Sequence, residues 1–155
     1  MFDTLTVIKA MADENRLRIL MALRGKELCV CTLTELLDLA PSTTSKHLSI
    51  LKQARLIESV KDGKFVYYRL TMPEGKNYPL VGPALDWLNQ SLSDTPQVRT
   101  DDAALAEIIA EGEASPDSGL GSKDHRLYRH VPGIHAIGDF SERKSGGRGH
   151  AKRGA

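Results

Sequence analysis

The chain has 155 residues, 41% hydrophobic and 26% charged, and its 21 basic and 20 acidic side chains leave a net charge of +1. No apolar run reaches the roughly 18 residues that a membrane-spanning helix needs, which excludes a helical membrane protein as a reading. The N-terminus Met1-Phe2-Asp3-Thr4 has no basic region ahead of an apolar stretch, so a cytoplasmic location is expected, with no membrane partner. Near-neutral charge does not point to nucleic acid, so any such partner must be argued from local placement of charge.

The apolar periodicity runs from Met1 to about Leu92, after which Gly, Pro, Ser, Asp and Arg dominate. Two parts are therefore predicted: a folded unit over residues 1–93 and a flexible tail over 94–155. A first helix spans Leu5 to Met11. Asp13-Glu14 then starts a second, with Leu17, Leu20, Met21 and Leu23 on or beside one apolar stripe and Gly25 at its end. Thr32 or Thr34 caps a short helix carrying Leu36, Leu37 and Leu39, and Pro41-Ser42 breaks it and begins another, from about Thr43 to Ala54. On this fourth helix Leu48, Ile50, Leu51 and Ala54 point one way. Thr43, Thr44, Ser45, Lys46, Ser49 and Lys52 mostly face outward.

A period of two follows: Leu56 to Val60, a Lys61-Asp62-Gly63-Lys64 turn, and Phe65 to Leu70. Asp-Gly between β-branched and aromatic residues is a strong hairpin signal, because such turns need positive φ angles. A last helix, Pro79 to Leu92, carries Val81, Leu85, Leu88 and Leu92 at spacings of four, three and four, with Trp87 beside them. With no later core in view to cover it, this stripe calls for a partner surface. Within the tail, Asp101-Asp102 reads as an acidic cap for a short helix over 101–111, with Leu105, Ile108 and Ile109 on one face. Arg143 to Ala155 reads as a disordered basic end.

The fold class is thus mainly α with a two-stranded β-wing: a winged helix-turn-helix over about Thr32 to Leu70, with a largely disordered C-terminal tail. A helix-turn-helix lays its second helix across the major groove, where short polar side chains reach base edges and cations meet phosphates. Thr43, Thr44, Ser45, Lys46, His47, Ser49 and Lys52 supply that inventory, and Lys61 and Lys64 at the hairpin tip suit the neighbouring backbone or minor groove. Double-stranded DNA is the expected partner.

Four blocks carry a family resemblance: Met11 to Leu20, Glu27 to Leu33, Ser45 to Leu51 and Gly63 to Leu70. In this order they resemble the ArsR/SmtB family of dimeric winged-helix metalloregulators, specifically its arsenic-responsive ArsR type. The resemblance implies a repressor rather than an enzyme. It also implies a homodimer formed by the first and last helices, through Leu5, Ile8, Val81, Leu85, Leu88 and Leu92, that binds a roughly two-fold operator and leaves it when an inducer binds.

The two cysteines, Cys29 and Cys31, are too close in sequence to staple a fold, and a reducing compartment would keep them as thiols. Thiolates are soft ligands for As(III), Sb(III) and thiophilic divalent metals, and a helix start favours the thiolate form. As(III) or Sb(III) is thus the expected inducer at Cys29 and Cys31, with no cofactor required. Cysteines on adjacent helical turns would reach one small ion only after local unwinding. In ArsR-type arsenic sensors the motif resembles Glu-Leu-Cys-Val-Cys-Asp-Leu-Cys, and Thr34 stands here at the last position. That leaves the third ligand to water, hydroxide, an external thiol or a tail residue.

The same residues admit other readings. A pair of small buried cysteines needs no ligand at all. A thiol-redox or persulfide sensor on the same scaffold would oxidise Cys29 and Cys31 instead. The zinc sites of this family use Asp and His on the last helix, which here holds only Asp86 and no His. His125, His130 and His135 are spaced by five and match no zinc signature. No Cys-x-x-Cys near a βαβ unit and no phosphate-cradling loop supports a reductase.

Overall fold

The computed structural model describes residues 1–114 and 128–131. Helix α1 (Phe2–Met11) leads into α2 (Glu14–Ala22), whose start is fixed by Asp13: its carboxylate accepts from the Arg16 N–H at 3.0 Å. A turn through Gly25, at φ 65, feeds the short strand β1 (Lys26–Cys29). Helix α3 (Val30–Leu37) follows at once and is closed by Asp38 in the left-handed conformation, φ 52. This sharp reversal sets the angle to α4 (Pro41–Gln53), where Pro41 takes the first-turn position that tolerates a missing N–H. The fourth helix therefore starts two residues before the predicted Thr43.

No glycine marks the end of α4; Arg55 makes that turn at φ 63. The strained residue is held from outside: the Thr71 hydroxyl donates to the Arg55 carbonyl at 2.6 Å, and Leu56 and Thr71 pair their backbones at 3.1 Å. The hairpin follows as β2 (Ile57–Asp62) and β3 (Phe65–Leu70), with Asp62 opposite Phe65. The two loop residues are Gly63 and Lys64, one position later than a turn centred on Asp-Gly, and Gly63 takes the positive φ of 59.

The predicted two-stranded wing belongs to a larger sheet. Its order is β2-β3-β1-β4, all antiparallel, with Leu28 opposite Tyr68 and Cys29 opposite Tyr67. The fourth strand, β4 (Tyr128–His130), comes from the tail and covers the other edge of β1.

Helix α5 (Tyr78–Leu92) buries Val81, Leu85 and Leu88 in the protein's own core, chiefly against α2. The expectation that this stripe awaits a partner is corrected: Val81 is 0%, Leu85 4% and Leu88 3% exposed, and Leu92 packs part-buried on the same core. The boundary expected near residue 93 also moves. Helix α6 (Pro96–Ala114) lies across α2 and α3 and contributes Val98 and Leu105 to the core, with Ile108 and Ile109 packed beside them.

Asp101 and Asp102 are not caps but anchors in the middle of α6. Asp101 is buried and takes two 2.8 Å hydrogen bonds from Arg18, a pairing that holds the Arg18 guanidinium pKa above its ordinary value. Asp102 is bound by Arg24 at 2.8 and 3.0 Å. The basic end from Arg143 to Ala155, together with His125 and His135, lies outside the described residues.

Candidate nucleic-acid interface and its thiol pair

Helix α4 is amphipathic in the sense a groove-reading helix requires. Thr44, Leu48 and Leu51 are buried beneath it, whereas Ser42, Thr43, Ser45, Lys46, Ser49, Lys52 and Gln53 are exposed. The outward face is thus a run of short hydroxyls with lysines at its edge, and no carboxylate interrupts it.

Two predicted contact residues do not join this face. Thr44 is fully buried, its hydroxyl donating back to the Ala40 carbonyl at 3.4 Å. His47 is turned inward, with Nδ1 buried, lacking a hydrogen bond, and 3.8 Å from the Asp13 carboxylate that caps α2. Both follow from helical geometry: residues 44, 47, 48 and 51 share one face, and that face meets α2 and α3. Sequence reading missed Ser42 and Gln53, although their three- and four-residue spacing from Ser45, Lys46 and Ser49 marks them as members of the outer face. It missed Arg55 too, exposed just past α4 and 3.8 Å from Asp3.

The wing extends this surface. Lys61 and Lys64 are both exposed at its tip, Lys64 lying 5.4 Å over the Phe65 ring. Lys52 joins helix to wing, its Nζ donating to Ser59 Oγ at 2.8 Å. Lys46, Lys52, Lys61 and Lys64 are therefore carried by one continuous helix-and-hairpin unit.

Cys29 and Cys31 lie at the mouth of that unit, and here local geometry departs from expectation in two ways. First, the cap of α3 is neither Thr32 nor Thr34 but Cys29, in extended conformation (φ −77, ψ 163), whose Sγ accepts from the Thr32 N–H at 3.4 Å. Second, the sulfurs expected as separate thiols are joined as a disulfide, across a Cα–Cα distance of 5.4 Å that suits such a bond. Because Cys29 ends a strand and only Cys31 sits inside the helix, both sulfurs reach one point without unwinding α3. Cys29 is buried and Cys31 exposed.

The hydroxyl of Thr32 is 3.2 Å from Cys29 Sγ, and Thr34 Oγ1 is buried without a hydrogen-bond partner. Thr34 is the position at which the resemblance leads a third cysteine to be expected. Among the described residues no group of three or more His, Cys, Asp and Glu side chains converges. Asp86 is half-buried on α5, and His130 lies in β4 opposite Lys26.

Of the predicted dimer residues, only Leu5 and Ile8 are well exposed, at 48% and 56%. Trp87, on the outer side of α5, is 60% exposed and was not assigned to an interface from sequence. No helix among the described residues is long and apolar enough to cross a membrane.

Known proteins share this arrangement. The family described as bacterial regulatory protein, arsR family, matches residues 13–59, from the cap of α2 into β2. The chain is 48% identical over 71 residues to the cadmium resistance transcriptional regulatory protein CadC of Listeria innocua, covering 43% of this chain and 60% of that one. It is 43% identical over 65 residues to the arsenic resistance transcriptional regulator ArsR1 of Pseudomonas putida, covering 41% and 51%. It thus spans little more than half the length of these curated relatives. Among solved structures, HlyU from Vibrio cholerae superposes with a TM-score of 0.50 at 32% identity, over 59% of this chain and 94% of that one. With its helix-turn-helix matched from cap to wing, the chain belongs to the ArsR family, a family of DNA-binding transcriptional regulators and not of enzymes.

Proposed function

We propose that the chain is a cytoplasmic, homodimeric transcriptional repressor that holds operator DNA with α4 and the wing and releases it when As(III) or Sb(III) is captured by Cys29 and Cys31. The observation that carries this reading is the meeting of both sulfurs at the cap of α3, the first helix of the helix-turn-helix. An event at the sulfurs acts directly on the element that orients α4. Relatives named for cadmium and for arsenic resistance support the class of soft, thiophilic ions.

The donor set fits such an ion once the pair is reduced. Cys29 and Cys31 would hold it as a dithiolate, and the Thr32 hydroxyl, already 3.2 Å from Cys29 Sγ, stands where it can hydrogen-bond a third oxygen donor. The ion supplies only its affinity for sulfur. The chain supplies the mechanical step: an ion held by the two sulfurs pulls on Cys29 at the cap of α3, where its Sγ accepts from the Thr32 N–H. The outer face of α4 depends on where α3 and its Asp38 turn hold it, so a shift of α3 carries Ser45 and Lys46 with it. Leu5, Ile8 and Trp87 are among the exposed apolar side chains of the described residues that a second copy would cover.

The test is recovery of the bound DNA followed by titration of the reduced protein with arsenite. Wild type should release the operator; Cys29→Ser and Cys31→Ser should retain it. Release by cadmium but not arsenite would change the ion, and retention in both would remove soft-ion sensing.

The disulfide favours a second reading, in which oxidation itself is the signal. The two thiols would pass two electrons and two protons to hydrogen peroxide, which leaves as two water molecules, as the S–S bond forms. Operator release by peroxide in the absence of arsenite, reversed by a dithiol, would decide for it.

A further inference from the structure

We infer that the tail segment Tyr128–Val131 is a built-in strand ligand for the open edge of β1, and that its docking sets how readily the cysteine pair reacts. Without it β1 would be an edge strand, presenting unpaired N–H and C=O groups along Lys26–Cys29. The tail supplies the pairing that such an edge accepts from an extended peptide. Lys26 faces His130, Glu27 faces Arg129 and Leu28 faces Tyr128, and the Val131 N–H donates to the Gly25 carbonyl at 3.4 Å. Val131 is itself buried, and it lines a small cavity with Leu23, Gly25, Leu70 and Met72. The segment is thus fixed by strand pairing at one end and by an apolar anchor at the other.

The place matters more than the pairing. The residue next to Leu28 is Cys29, which is at once the last residue of β1, the cap of α3 and half of the thiol pair. On its other side β1 is paired to β3 through Leu28 and Cys29. With β4 docked, the strand leading into Cys29 is held from both edges, and any displacement of the backbone that carries the buried sulfur works against both. With β4 released, one of the two restraints is gone. By linkage, an event that displaces Cys29 must also weaken the hold of β1 on the tail. The regulatory consequence rests on reading Cys29 and Cys31 as the sensor, but the strand docking and its effect on sulfur reactivity do not.

In an antiparallel pair, hydrogen-bonded positions alternate, so the bond at Val131 and Gly25 places the next bonded pair at Arg129 and Glu27. Arg129→Pro removes that N–H, and Arg129→Ala removes the same side chain while keeping it. Both are made in the full-length chain carrying Cys31→Ser, so that Cys29 is the lone thiol. Two rates are read, amide hydrogen exchange at Glu27 and labelling of Cys29 by iodoacetamide; neither needs DNA or a metal ion. Arg129→Pro should speed both by about threefold to tenfold, the worth of one backbone hydrogen bond, and Arg129→Ala should leave both unchanged.

Unchanged rates in Arg129→Pro would overturn the docking. Faster exchange with unchanged labelling would overturn the coupling to Cys29, and equal effects of both variants would assign the result to the Arg129 side chain. Protection at Glu27 that vanishes on dilution to monomer would place the strand from a second copy and overturn the intramolecular reading. Failure of arsenite to release DNA, with these rates as expected, would instead count against the soft-ion function alone.

Discussion

Replacing Asp101 by alanine tests whether α6 belongs to the folded unit. Arg18 makes two 2.8 Å hydrogen bonds to the Asp101 carboxylate, and the same guanidinium reaches the Leu36 carbonyl near the end of α3 at 3.5 Å. Gln97 adds a third donor at 3.0 Å. Breaking a buried pair from one side costs about 3–5 kcal/mol, because the remaining charge stays desolvated. Arg18 retains 19% side-chain exposure and so recovers some hydration, which brings the expected loss to about 2–3 kcal/mol. At about 3–4 °C per kcal/mol for a unit of this size, Tm should fall by about 6–12 °C. The assay is urea and thermal unfolding by circular dichroism at fixed protein concentration, with Arg18→Ala and the double variant completing a cycle. A coupling of about 1 kcal/mol or more is expected. A loss under about 0.5 kcal/mol for Asp101→Ala, with no coupling, would refute the reasoning: α6 would not be seated on α2 and α3, and the folded unit would end near residue 93 after all.

The DNA surface gives two further expectations. Lys46→Ala and Lys64→Ala should each weaken operator binding across sequences and lower the slope of log affinity against log salt by about 1, as lost phosphate contacts do; equal slopes in variant and wild type would misplace the surface. Thr44→Val should leave sequence preference unaltered while Ser45→Ala changes it, because Thr44 is buried; a selection experiment on randomised operators separates the two. Gly63→Ala meets no atom within 4 Å, so its cost is that of the left-handed backbone alone, about 1–2 kcal/mol by denaturant unfolding. Ile8→Glu puts a charge on the exposed side of α1 and should shift sedimentation toward monomer without a large change in helix content; an unchanged dimer would take α1 out of the interface.

The helices and hairpin were legible because their signals are local: Asp13 as a cap, Pro41 at a helix start, Gly63 in a turn. The outer face of α4 was legible only in part, since a run of consecutive polar residues hides which of them helical geometry turns inward, and so Thr44 and His47 were misassigned. Helix α6 was obscured in part, for a different reason. Its second half was legible as a short helix over 101–111 with Leu105, Ile108 and Ile109 on one face, but its start at Pro96 and its seat on the core were not, because much of its hold comes from Asp101 and Asp102 reaching arginines more than 75 positions away. The apolar stripe of α5 was real, yet α2 and the rest of the core cover it, so a partner surface was inferred where the monomer supplies one. Long-range pairings of this kind leave no periodic trace, and the same holds for β4.

The cysteines show how one local detail alters a mechanism. With both sulfurs inside α3, capturing an ion would have meant melting its first turn and spending binding energy on that distortion. Placing Cys29 outside the helix, as its cap, removes the requirement: the sulfurs already meet, and the helix is intact while they do. On the proposed reading, the coupling to DNA then comes from a smaller change at the cap, in the Sγ contact to the Thr32 N–H. Sulfur is a weak acceptor, so weakening that contact changes the helix start by about 0.5 kcal/mol, the low end of the usual worth of a cap. Alone this gives roughly a twofold change in occupancy. On the proposed dimeric reading, the same strain felt in both protomers on one operator doubles in free energy and approaches about fivefold, so dimerisation would be part of the switch.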